Sequence, residues 1–167
     1  IAREADIPLM PLDQVKEIDV TIAGADEVDC SGNGIKGTKG ALLLEKMVSR
    51  ISKKTIWVID ETKMVSVLGS VPLPIEVSAD GVTHVLNHIN KHIARAELRI
   101  DKNGEVYVTP RKHNFIDIHI EKIQAPEELE DILNNIPGII ETGLFISMVN
   151  TIIIGKNQGV EIINYDR

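Results

Sequence analysis

IAGADEVDCSGNGIKGTKGALLLEK, residues 22–46, is the stretch from which the rest of the chain can be read. The apolar run Val20-Thr21-Ile22-Ala23 predicts a strand over 20–25, covered on both faces, that stops at the carboxylates Asp26, Glu27 and Asp29. A turn cluster, Cys30-Ser31-Gly32-Asn33-Gly34, and a basic glycine-rich loop, Lys36-Gly37-Thr38-Lys39-Gly40, then lead into a helix expected over 41–53. Strand-end carboxylates, a basic loop and a helix amino terminus together suit an anionic small molecule. Backbone N–H groups and the helix dipole stabilise negative charge there, and the carboxylates can move protons. The chemistry is expected at this edge.

Working outward, Thr55-Ile56-Trp57-Val58-Ile59 predicts the next buried strand, ending at Asp60-Glu61-Thr62-Lys63. Strand, helix and strand with short links make a parallel βαβ unit. Upstream, 7–12 is a proline-flanked connector or edge piece, and 13–17 is at most one helical turn. The pattern changes at Pro72-Leu73-Pro74. Beyond it come a strand at 75–77, a helix at 82–94, strands at 96–101, 106–108 and 114–120, a helix at 126–136 opened by proline, and a strand at 139–142. With the middle hairpin counted as a pair, that is βαββαβ, the ferredoxin-like order. The tail, 151–154 and 160–163 about a turn at Gly155, reads as a hairpin returning to the first sheet. The expected fold is α/β: a Rossmann-like parallel-sheet domain, 1–73 plus 143–167, with a ferredoxin-like α+β domain, 74–142, inserted into it.

At 167 residues the chain can bury a proper core. Lys and Arg number 18 against 25 Asp and Glu, a net charge of −7 that disfavours nucleic acid as a partner yet leaves room for a small phosphorylated molecule. One cysteine, Cys30, excludes an internal disulfide and fits a reducing compartment. No apolar run has membrane-spanning length, so a cytoplasmic location is expected. The start, Ile1-Ala2-Arg3-Glu4-Ala5-Asp6, reads as a helix end running into a strand, with a further segment expected upstream.

Each candidate residue has an ordinary reading beside the chemical one. Glu45 has no Lys or Arg at i+4, so no helix-surface pair accounts for it. It is either a first-turn acid favoured by the dipole or a partly buried general base of raised pKa. Lys36 and Lys39 are either a solvated loop or the cations of a site; no Walker or dinucleotide spacing accompanies them. Asp60 and Lys63 fall on the same strand edge as Asp26. Lys46, Arg50 and Lys53 predict a cationic helix stripe. His84, His88 and His92 recur at chelating spacing, but no carboxylate joins them and the solvated-face reading is preferred; no metal is expected. Cys30 has no nearby His and is not expected to be a nucleophile.

Gly24-Ala25-Asp26-Glu27-Val28-Asp29, Ile35-Lys36-Gly37, Gly40-Ala41-Leu42-Leu43 and Glu45-Lys46 resemble the signature of the type A ribose-5-phosphate isomerases. So do 59–63, 72–77 and 137–145, in order and spaced as in the family. The resemblance implies interconversion of ribose 5-phosphate and ribulose 5-phosphate without metal or other cofactor, and a homodimer or homotetramer. It implies Glu45 as the base moving a proton between C1 and C2, and Asp26 as the carboxylate that opens the ring and handles hydroxyl protons. Lys36, with Gly37, Thr38 and Lys39, would stabilise the enediolate oxygen; Lys63 would contact substrate, and Ala23, Gly24 and Ala25 would line the site. The chain departs from the family pattern at Ala23, where the family has Asp, at Lys39, usually Gly, and at Leu44, often Arg. The family's first strand and its Gly-Ser-Thr phosphate loop have no counterpart in these residues. A non-catalytic sugar-phosphate binder on the same scaffold is the rival implied by those departures.

Overall fold

A computed structural model describes residues 2–166. After 3-10 turns at Arg3–Ala5 and Leu12–Gln14, the first unit starts with β1 (Ile18–Ala23), β2 (Glu27–Val28) and β3 (Gly34–Ile35). It continues through α1 (Leu42–Arg50) and β4 (Ser52–Asp60). The second unit is β5 (Leu73–Val77), α2 (Val82–His92), β6 (Ala96–Leu98), β7 (Asn114–Ile118), α3 (Pro126–Asn134) and β8 (Ile139–Thr142). The chain returns through β9 (Leu144–Phe145), β10 (Thr151–Lys156) and β11 (Gly159–Asn164). Ile1, the first residue of the expected helix end, lies outside the described residues.

The first sheet has the order β1-β4-β10-β11, parallel except for the final hairpin. The second has the order β6-β7-β5-β8, antiparallel throughout, as a ferredoxin-like βαββαβ unit requires. A small antiparallel sheet, β2-β3-β9, joins the two. Trp57, Ile59, Ile152 and Ile154 of the first sheet are buried with Val28, Leu42, Phe145 and Phe115 of β7. The second core, built on Ile75, Ile89, Ile116 and Leu133, takes in Ile35 and Leu144 from the joining sheet. Each core therefore borrows side chains from the other unit. β5 is buried at every position, including Glu76.

Several expectations are corrected. β1 is not covered on both faces: Val20 and Ile22 are 47% and 68% exposed, and Val58, Val160 and Ile162 continue that open apolar face across the sheet. The buried face is the one carrying Trp57, against which α1 and the joining sheet pack. α1 ends at Arg50, and Ser52 already pairs with Ile18 in β4, because the strand register claims the residues that the helical periodicity had also fitted. The cationic stripe consequently does not exist. Lys53 is a strand residue bonded to Glu17 and Asp19, and Lys46 is buried. The tail turn lies at 157–158, and Gly155 is a β10 residue opposite Val160. Val106 and Val108 form single bridges to Ile100 and Asn114 rather than a strand.

Lys46, 4% exposed, donates to Glu130 of α3 at 2.8 Å, to Glu141 of β8 at 2.7 Å and to the Thr142 hydroxyl at 3.3 Å. It ties α1 to the second unit. Removing one partner of a buried ionic cluster costs much more than the cluster contributes net, since the remaining charges stay desolvated. Lys46→Met is expected to destabilise the protein by about 3 kcal/mol, lowering Tm by roughly 6–12 °C at this chain length. The triple variant Lys46→Met/Glu130→Gln/Glu141→Gln should recover most of that loss. Thermal melts of the two variants check both statements.

Candidate active site

The site forms where β1 ends, β3 ends and α1 begins. A cavity of about 480 Å³ is lined there by Ala23, Gly24, Ala25, Asp26, Lys36, Gly37, Lys39 and Glu45, with Thr21, Ile22, Leu44, Val48 and Ser49 adding a more apolar wall. The predicted residues thus converge, except that Thr38 and Lys63 are not among the lining residues.

Asp26 follows β1, its N–H bonded to the Ile35 carbonyl at 2.9 Å. Its carboxylate accepts the Thr38 hydroxyl at 2.7 Å and the Thr38 N–H at 3.2 Å, so Thr38 tethers the site carboxylate from outside the cavity. Lys36 follows β3 and is 4% exposed. Its ammonium donates to the Gly24 carbonyl and lies 2.9 Å from Glu45 Oε2. It also lies 5.4 Å from the centre of the Phe145 ring and 6.0 Å from that of Trp57, which wall it off from water. Glu45, which has no partner one turn along its own helix, is nonetheless ion-paired. The partner comes from a loop nine positions upstream, beyond the reach of helix-neighbour spacing. Glu45 is more open than the lysine, with a side chain 37% exposed.

The amino terminus of α1 has no cap from its own flanking residue. Glu76 of β5, 3% exposed, accepts the Leu43 N–H at 3.3 Å and also contacts His113 Nδ1 at 2.8 Å. A carboxylate at that position complements the helix dipole. Asp60 caps the 3-10 turn at Glu61–Lys63. The Thr62 hydroxyl and backbone N–H hold its carboxyl below the usual carboxylate range. That occupies Asp60 locally, and Lys63 sits in the same turn at the carboxyl end of β4, outside the cavity lining. Ala23 pairs in register with Trp57. His84, His88 and His92 are exposed on α2, and among the described residues no group of three or more His, Cys, Asp or Glu is placed to hold a metal ion. No helix of the described residues is long and apolar enough to cross a membrane.

A buried ammonium against a carboxylate, beside a tethered second carboxylate and a glycine loop, is chemically able to move protons next to a developing oxyanion. The family model described as ribose 5-phosphate isomerase A (phosphoriboisomerase A) matches residues 1–159. The chain belongs to that family. It is 43% identical over 163 residues to ribose-5-phosphate isomerase A of Levilactobacillus brevis, covering 98% of this chain and 72% of that protein. With the Enterococcus faecalis isomerase it shares 43% over 153 residues, covering 92% and 68%. Among solved structures, ribose 5-phosphate isomerase from Plasmodium falciparum superposes with a TM-score of 0.93 at 33% identity, covering 99% of this chain and 74% of the other. A D-ribose-5-phosphate isomerase in complex with phospho-erythronic acid also gives a TM-score of 0.93, at 37% identity and 98% and 72% coverage. Gly24–Asp26, Lys36–Gly37 and Glu45 come from separate elements and meet at the cavity.

Residues that the sequence did not single out complete the picture. Arg99, Glu76, Glu130 and Glu141 belong to the second unit and reach the site-bearing segments, and Asp117 holds Arg99. For Arg99, Asp117 and Glu130 the only sequence signal is charge beside apolar strand positions or on a helix opposite them, whereas Glu76 and Glu141 fall inside the 72–77 and 137–145 blocks.

Proposed function

We propose that this protein interconverts D-ribose 5-phosphate and D-ribulose 5-phosphate by proton transfer through an enediolate. The observation carrying this reading is the Lys36–Glu45 pair, 2.9 Å apart at the wall of a cavity that also holds Asp26. In the forward direction Glu45 takes the proton from C2 of the open-chain aldose and returns it to C1. Negative charge develops on the sugar oxygen, and the Lys36 ammonium, already desolvated, stabilises it without having to shed water at that moment. Asp26, held by Thr38, serves ring opening and carries hydroxyl protons between O1 and O2. Gly37 and Lys39 contribute backbone N–H groups to the same oxygen, while Thr38 supports it indirectly by holding Asp26. Ala23, Gly24 and Ala25 shape the floor, and Lys63 approaches the substrate from the β4 edge. No metal or other cofactor is needed for this route. The same reading carries a cytoplasmic location and self-association as a dimer or tetramer.

The direct test is conversion of ribose 5-phosphate monitored as ribulose 5-phosphate, with and without a chelator. Turnover unaffected by chelation is expected. One observation favours a second reading, a sugar-phosphate binder without turnover: Ala23 offers no carboxylate at the end of β1. Saturable binding of ribose 5-phosphate with no ketose formed would select that reading and reject the enzymatic one.

A further inference from the structure

Arg99 follows β6 in the second unit, and its side chain is 14% exposed. Its Nε donates to Asp117 Oδ2 at 2.8 Å and its Nη2 to Asp117 Oδ1, a two-pronged contact between planar groups. The guanidinium lies 4.6 Å from the centre of the Phe115 ring. The remaining nitrogen, Nη1, reaches across to the first unit and donates to the carbonyls of Gly37 and Thr38, at 3.1 and 3.2 Å. Neither Arg99 nor Asp117 lines the cavity.

Those carbonyls belong to the peptide units whose N–H groups are on Thr38 and Lys39. A trans peptide is planar, with C=O and N–H directed oppositely. Holding the Gly37 carbonyl toward Arg99 therefore aims the Thr38 N–H away from it, where Asp26 Oδ2 accepts it at 3.2 Å. Holding the Thr38 carbonyl the same way turns the Lys39 N–H away from Arg99, and Lys39 is a lining residue of the cavity. The loop has little stiffness of its own: Gly37 and Gly40 have φ of +108° and +84°, and one bond, Gly40 N–H to the Gly37 carbonyl at 3.0 Å, closes the turn. Tyr107 backs the other end, since a Cβ on Gly40 would lie 2.2 Å from its hydroxyl.

We propose that Arg99, fixed by Asp117, is a positioning residue for the isomerisation: it sets the peptide planes of the 37–39 loop and thereby the placement of Asp26 and of the loop's N–H donors. This rests on the isomerase reading above. A small misplacement of such groups is costly for the chemical step, on the order of 10²-fold per ångström. A lysine keeps the charge but offers a point donor in place of the planar fork, so the two-pronged contact with Asp117 that fixes the side chain's direction is lost.

The experiment compares the parent with Arg99→Met and Arg99→Lys in kcat, KM and amide hydrogen exchange at Thr38. For Arg99→Met, kcat should fall about 10²-fold with KM within about threefold of the parent, because positioning acts on the transition state more than on ground-state binding. Thr38 exchange should accelerate by about tenfold or more as its bond to Asp26 loosens. Arg99→Lys should regain little of the lost kcat. The proposal is overturned if Arg99→Met keeps kcat within threefold of the parent, if Thr38 exchange is unchanged, or if Arg99→Lys restores full activity. Should Arg99→Met not fold, the same measurements on Arg99→Lys decide it. A parent without ribose 5-phosphate turnover would reject the isomerase reading, and Thr38 exchange would still decide whether Arg99 orders the loop.

Discussion

Glu45→Gln is expected to lower kcat by about 10²–10⁴-fold while KM stays near the parent value, the pattern of a lost general base. The substitution is nearly isosteric. The glutamine side-chain oxygen can still accept from the Lys36 ammonium, so the buried lysine keeps a partner and the loop keeps its shape. What disappears is the ability to take and return a proton. Steady-state assays on a variant with the parent's circular dichroism and melting curve provide the check. Retention of more than a tenth of the parent kcat would remove Glu45 from the role of base. Loss of turnover with undiminished substrate binding would also separate catalysis from mere recognition at this cavity.

Lys36→Gln is expected to reduce kcat by about 10²–10³-fold, the usual consequence of deleting a preorganised oxyanion partner. The lysine is enclosed by Phe145 and Trp57, donates to the Gly24 carbonyl and faces Glu45, so its charge acts in a poorly solvated place. Glutamine can keep the bond to Gly24 but brings no charge. The two residues form one unit, and their effects should not add. Lys36→Gln/Glu45→Gln should be little slower than the worse single variant, as found generally for catalytic groups acting on one step. A double variant slower by the full product of the two losses would mean that they act independently, contrary to the 2.9 Å pairing.

Much of this was legible from residue order. The βαβ start, the βαββαβ insertion and the return hairpin follow from apolar periodicity and from the Pro and Gly punctuation around 72–74, 104 and 137–138. The convergence of Asp26, Lys36 and Glu45 was legible because they fall at ends of consecutive elements that a parallel crossover brings to one edge. The end of α1 was not, since 50–53 satisfies helical spacing and strand pairing alike, and only the partner β1 decides between them. Pairings across long sequence separations were equally hidden. Lys46 with Glu130 and Glu141 looks like three surface charges until α3 and β8 are folded against α1. The exposed face of β1 was misread because an apolar strand carries no mark of how many of its faces are covered.

The mutual loan of side chains between the two cores limits how this architecture can be recombined. Residues 73–142 have the outline of a cassette, with both ends close together at the joining sheet: the Gly143 N–H meets the Pro74 carbonyl at 2.7 Å. Yet the segment would leave with Phe115 from the first core, the Glu76 contact at the start of α1, and all three acceptors of the Lys46 ammonium. A chimera that exchanged the segment between relatives would inherit a mismatched seam unless Ile35, Leu144, the 37–38 carbonyls and Lys46 found equivalent counterparts. Sequence drift on the two sides of that seam is thus coupled. The insertion is contiguous in the chain but not autonomous in heredity.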